Sequence, residues 1–220
     1  MSFEPFQQRR EKFSDFYNAI ALAHKIAPCE HSGHGHDHGI TVAEIGVLLT
    51  DNPKLQDMVW VSGNGHSLDR MFPKDNFEKK IWEYLQFAKQ HFTGKELEEI
   101  FIAIRDHGNK NSEEDSELTI LLKDADRLGN TMLGIVIRSG QFTPDIPAME
   151  LQYLKTPNPV STYPNPTSVI EDLRGCLEWE GWIRTPKAKV IAAPLFAELR
   201  HYMNTLASQY EMLGLAGVVL

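Results

Sequence analysis

Four histidines, His31, His34, His36 and His38, fall within eight positions of the stretch EHSGHGHDHGITVAEIG. Imidazole is a ligand for Zn, Cu, Fe and Ni, so a fold that aims some of these rings at one point would hold a metal. Cys29, His31, His34 and His36 spell Cys-x-His-x-x-His-x-His. Closed zinc sites draw their ligands from separated pairs held by a fold, so this glycine-punctuated run reads as a solvated loop. His38 is different. It begins an apolar segment in which Val42, Ile45 and Leu49 follow at spacings of four, seven and eleven, so on a helix it faces the core. A polar ring buried there without a partner costs ~1–3 kcal/mol. Two distant groups offer partners. His66 ends the stretch VWVSGNGH, and if that stretch is helical, Val59, Ser62, Gly63 and His66 share one face, whose small residues admit a close neighbour. Asp126, in LLKDADRLGN, lies with Leu122, Gly129 and Leu133 on an apolar face, where a carboxylate must be paired or bound to a metal. Two imidazoles and an aspartate converging inside a helical bundle would make a divalent-metal site.

The elements that must position these groups are helical. Apolar residues from Phe6 to Ala23 recur at three and four spacings, which predicts one amphipathic helix over residues 3–25. A second helix is expected over 40–49, stopped by Asn52-Pro53. Residues 55–72 are ambiguous, because Val59, Trp60 and Val61 favour strand while Ser62-Gly63-Asn64-Gly65 favours a turn. Helices are expected over 76–91 and 94–107, the latter capped by Thr93 and stopped by Gly108. Ser112-x-x-Asp115 reads as a capping-box variant that opens a long central helix through Ile137. Leu118, Leu122, Leu133 and Val136 line one face of that helix, and Leu121, Leu128 and Ile135 another. Residues 142–166 carry six of the twelve prolines and read as an arm. Two further helices, over 168–179 and 185–212, close the chain, with Pro194 a bend point in the last. The class is therefore all-α: one domain over residues 1–220, with a core over about 15–140, the arm, and C-terminal helices over 167–213.

Composition narrows the function. The 220 residues carry a net charge of -8, which disfavours a nucleic-acid polymer as partner. No apolar run reaches the ~20 residues that cross a bilayer, so no membrane role is expected. Only Cys29 and Cys176 are present, giving no disulfide framework, and a cytoplasmic location fits. Homo-oligomerisation is left open.

These residues carry a resemblance. His38-x-x-x-Val42, a His ending an apolar segment at position 66, and Lys123-Asp124-Ala125-Asp126-Arg127-Leu128 resemble the HD superfamily of metal-dependent phosphohydrolases, in particular its small stand-alone members. The runs AIRDHGNKNSEEDSELTILLKDADRLG and TPKAKVIAAPLFAELRHYMNTL are similar to the family's central and final helices, and the likeness covers most of residues 20–210. It implies an HD-like helical bundle in which His38, His66 and Asp126 hold a divalent ion (Mn, Fe, Co, Ni, Zn or Mg). Asp126 and His107 would be catalytic, His107 lying near the substrate phosphate or a second metal. The implied reaction is hydrolysis of a small phosphorylated substrate, a nucleotide or another phosphate ester.

The departure is at position 67, where Ser67 follows His66 in place of the Asp that gives the family its name. A neutral hydroxyl is a weak ligand beside a carboxylate. Asp69, three residues after His66, would share its face on a helix and is the preferred replacement. Asp124 is the other nearby acid, but its direction is about 160° from that of Asp126 on an ideal helix. Arg127 and Lys123 are expected in structural ion pairs. His36-Asp37 mimics the family motif in the wrong place. Ser67 also supports an alternative, a catalytically impaired HD-fold protein that binds a ligand or partner. A metal-carrying loop over residues 29–38 is a third reading.

Overall fold

A computed structural model describes residues 4–26 and 35–219; Cys29, His31 and His34 lie outside the described residues. The fold is all-α, with no strand among those residues. The helices are α1 (Glu4–Lys12), α2 (Ser14–Ile26), α3 (His36–Leu48), α4 (Pro53–Gly65), α5 (Leu68–Met71), α6 (Lys74–Leu85), α7 (Gly94–Asp106), α8 (Glu117–Gly129), α9 (Ile135–Phe142), α10 (Val169–Cys176) and α11 (Pro186–Met212). One contiguous apolar core runs from Phe13 to Met203.

The expected N-terminal helix is divided at Phe13, yet helical hydrogen bonding continues through it: its N–H reaches Arg9 O and its carbonyl accepts from Tyr17, both at 2.9 Å. Its ring stacks on Trp60 and Phe92, 5.5 and 5.6 Å away. Asn52-Pro53 starts a helix as well as following one. Asn52 Oδ1 accepts from the N–H groups of Lys54 and Leu55, and Pro53 needs no donor at the first position.

The ambiguous segment is the helix α4. Burial overrides its strand-prone residues, since every residue from Met58 to Leu68 is buried. Its polar side chains bond back along the helix, Ser62 Oγ to Met58 O and Asn64 Nδ2 to Trp60 O, each at 2.9 Å. Glycines set its distance from α3. A Cβ on Gly63 would stand 2.6 Å from Ala43 N and Cα, and one on Gly46 would meet Val59 Cγ2 at 2.6 Å.

The expected long central helix is two helices. Asn130 caps α8, and Thr131 turns both its N–H and its hydroxyl to Leu128 O instead of continuing the ladder. Leu133, expected on the inward face, is 50% exposed in the link that follows. Nor does the Ser112 box open α8. Ser112 N–H donates to Asp115 at 3.1 Å, but Ser116 is the cap, because the Asp115 carboxylate is held by Lys123 Nζ at 2.9 Å and by Arg184. The expected helix over 76–91 ends at Leu85, with a 3-10 turn at Lys89–His91. Thr93 and Glu96 form the reciprocal capping box of α7. The proline-rich arm is irregular but tied down, with Thr167 Oγ1 and Asn158 Nδ2 donating to Glu150 at 2.6 and 3.0 Å.

Asp124, fully buried, accepts the backbone N–H groups of Arg184 and Thr185 at 3.1 and 2.7 Å and so holds the start of α11. Asp124→Ala leaves those donors unsatisfied and is expected to destabilise by about 3 kcal/mol. Gly63→Ala is expected to cost about 1–3 kcal/mol, since the backbone of Ala43 must move. Urea unfolding of both variants measures these losses.

Candidate metal centre

The approach of α3 to α4 brings His38 and His66 together, their ring centroids 5.0 Å apart. α8 crosses both, and Asp126 arrives from it. His38 Nε2 lies 3.1 Å and His66 Nε2 3.6 Å from Asp126 Oδ1. One ligand atom from each of these three residues falls within 4.8 Å of the others. Both rings are buried, whereas the Asp126 side chain is 22% exposed, so the cluster opens on its carboxylate side. Gly129 packs against α3, where a Cβ would stand 3.2 Å from Val42 Cγ2 and in ordinary contact with His38 Cε1 at 3.5 Å.

Backbone carbonyls select the tautomers. His66 Nδ1 donates to Gly63 O and His107 Nδ1 to Ile104 O, each at 2.6 Å, which leaves Nε2 of each ring with its lone pair when the ring is neutral. The His66 and His107 centroids are 5.2 Å apart. Burial lowers the pKa of His66 well below its ordinary value and also lowers that of His38, although the Asp126 carboxylate opposes both shifts. Burial works against the charge of Asp126, but the His38 hydrogen bond and the neighbouring imidazoles outweigh it, and its pKa is held below the usual carboxylate range. Neutral imidazoles and an ionised carboxylate are the forms that bind a cation.

The donor set fits a divalent ion: two imidazole nitrogens and a carboxylate oxygen within reach, beside an open cavity. That cavity, about 530 Å³, is lined by His66, Asp69, His107 and Asp126 together with residues from α9, the arm and the 3-10 segment Leu177–Trp182. Asp69 Oδ1 is buried on it with no hydrogen-bond partner among the described residues.

Asp69 and His107 line this cavity but stand outside the His38, His66 and Asp126 cluster. The shared helix face expected of His66 and Asp69 does not form, because α4 ends at Gly65 and Ser67, at ψ 3°, breaks the helix before α5. Ser67 is fully buried, its hydroxyl 3.3 Å from His66 Nε2. Asp124 points to α11, as its helix position implies. His36 is not a solvated loop residue; it begins α3 and packs on His24 and Tyr17, with centroids 5.3 and 4.8 Å away. Asp37 is exposed and outside the cluster.

No protein-family model matches the chain, and no curated protein matches it in sequence. Solved structures do. A Lactobacillus plantarum protein is similar over 92% of this chain and 98% of its own, with a TM-score of 0.72 and 17% identity. Bacillus subtilis YpgQ, solved in complex with ADP, is similar over 90% of this chain and 97% of its own, with a TM-score of 0.63 and 16% identity. The fold is shared. Each likeness spans nearly the whole of both chains.

Sequence reasoning missed Asn130, Arg138, Tyr163, Trp179 and Trp182. Asn130 donates Nδ2–H to Asp126 Oδ1 at 2.9 Å and was legible as the residue one turn after it. The others reach the cavity through tertiary packing.

Ser67→Asp would place a second carboxylate beside His66. Calorimetric titration is expected to give Mn²⁺ binding about tenfold tighter or more. The metal-free variant is expected to melt below the parent, because the two carboxylates repel without the cation. Unchanged affinity would mean that position 67 does not face the cation.

Proposed function

We propose that this chain is a metal-dependent phosphohydrolase of HD type acting on a nucleotide or similar small phosphate ester. The observation that carries this reading is the convergence of His38, His66 and Asp126 at one side of a nucleotide-sized cavity. The ADP bound to the similarly folded YpgQ supports it.

His38, His66 and Asp126 would hold the ion. When bound, it supplies positive charge against phosphate oxygens and activates water for attack at phosphorus. The chain's own residues supply the rest. Arg70, Arg127 and Arg138 line the cavity and balance the substrate's charge. His107 spends Nδ1 on Ile104 O, so Nε2 is the atom that exchanges a proton with the reacting oxygens. Tyr163 meets Trp179 and Trp182 edge to face, with centroids 5.9 and 6.5 Å away, and the three rings offer flat apolar surface to a base. Burial pushes the Tyr163 phenol up to about 12, so it remains a neutral donor.

Ser67 favours a second reading, a nucleotide-binding protein without turnover, since it leaves the cluster one carboxylate short. Metal analysis followed by a nucleotide panel with Mn²⁺, Co²⁺, Ni²⁺ or Mg²⁺ separates the two. Turnover is expected, falling on the order of 10³-fold in His38→Ala and Asp126→Asn. Nucleotide binding without hydrolysis under any metal favours the second reading, and a chain with neither bound metal nor turnover sinks the enzyme. Tyr163→Ala is expected to raise the nucleotide KM roughly 5- to 150-fold with kcat nearly unchanged, from the ~1–3 kcal/mol of a stacked base. An aryl phosphate should feel less.

A further inference from the structure

Asn130 stands one helical turn beyond Asp126 and is tied to it twice. Its backbone N–H donates to Asp126 O and its Nδ2 to Asp126 Oδ1, both at 2.9 Å. The other end of the same amide accepts from Arg138 Nη1 at 3.0 Å. A reversed amide would set its oxygen against the carboxylate and its NH₂ against the guanidinium, so the two charged neighbours dictate the orientation. Arg138 reaches it because the chain leaves the helix after Gly129 and re-enters at Ile135. On an uninterrupted helix, residues 130 and 138 would be separated by about 12 Å of rise.

The consequence falls on the carboxylate. Three nitrogens surround Asp126 Oδ1: Asn130 Nδ2 at 2.9 Å, His38 Nε2 at 3.1 Å and His66 Nε2 at 3.6 Å. Oδ2 accepts no hydrogen bond among the described residues, and Asp126 borders the cavity. We propose that Asn130, oriented by Arg138, is a positioning residue that fixes the plane of the Asp126 carboxylate, so that this group can share a divalent cation with His38 and His66. This rests on reading the three residues as a metal site. Asn130 does not contact the ion; it sets the plane of a ligand that does, as hydrogen-bonded partners of metal ligands do elsewhere. The break between α8 and α9 thereby acquires a role, since it places the guanidinium that fixes the amide.

Asn130→Ala and Asn130→Leu both delete the amide, and Leu keeps most of its volume. Each is titrated with Co²⁺, following heat and the visible absorption of the bound ion. Both are expected to bind Co²⁺ about 10- to 100-fold more weakly than the parent chain, with an altered visible band as the carboxylate loses its fixed plane. The metal-free melting temperature should fall by only about 2–4 °C, the loss of one hydrogen bond. Parent-like affinity and spectrum in both variants would overturn the proposal. So would full retention in Asn130→Leu with loss in Asn130→Ala, which would assign the effect to packing. If the parent chain itself binds no Co²⁺, the metal-site reading has failed, and this inference falls with it.

Discussion

The close approach of α3 and α4 is the constraint on which the candidate site depends. Glycine at 46 and 63 lets Val59 and the Ala43 backbone into space that a Cβ would fill, and the rings of His38 and His66 meet at the open end of the same contact. Packing here sets chemistry directly. A helix pair held a methyl group further apart would still bury its apolar residues, but it would no longer aim two imidazole nitrogens at one carboxylate oxygen.

The run Lys123–Leu128 divides its charges between two tasks by helical geometry. Asp124 and Asp126, two residues apart, leave α8 in nearly opposite directions. Asp124 anchors α11 through two backbone donors, and Lys123, buried, pairs with Asp115, which also takes Arg184. These contacts satisfy charges that would be costly to bury alone. Asp126 faces the imidazoles, and Arg127 lies over Trp182 while donating to its carbonyl, which ties the site to the cavity wall. One motif therefore secures the last helix and supplies the cluster's carboxylate.

The later third of the chain completes one wall of the cavity. The proline-rich arm delivers Tyr163, and Gly175 makes room for it, since a Cβ there would stand 3.3 Å from the ring. Nothing in the local pattern of residues 142–166 announced this role. Prolines and polar residues mark an arm, but which surface an arm covers is decided by long-range bonds such as Val169 N–H to Pro147 O and Thr167 to Glu150. The division at Phe13 and the interruption after Gly129 were hidden for a related reason. Apolar periodicity survives a one-residue division or a short link, so spacing alone read each as one helix.

The sequence by itself determined the all-α class, the cap at Thr93, the inward direction of His38, and the opposed directions of Asp124 and Asp126. Each follows from residue type and from the period of a helix, which are local properties. Tertiary structure alone decided that the strand-prone run around Trp60 is helical, because complete burial outweighs its small backbone preference. It also decided that Asp69 stands apart from the cluster and that Arg138 reaches Asn130 across the break after α8. Where a side chain points depends on where its helix stops, and which groups meet depends on how helices distant in sequence pack. Neither is written in the spacing of residues.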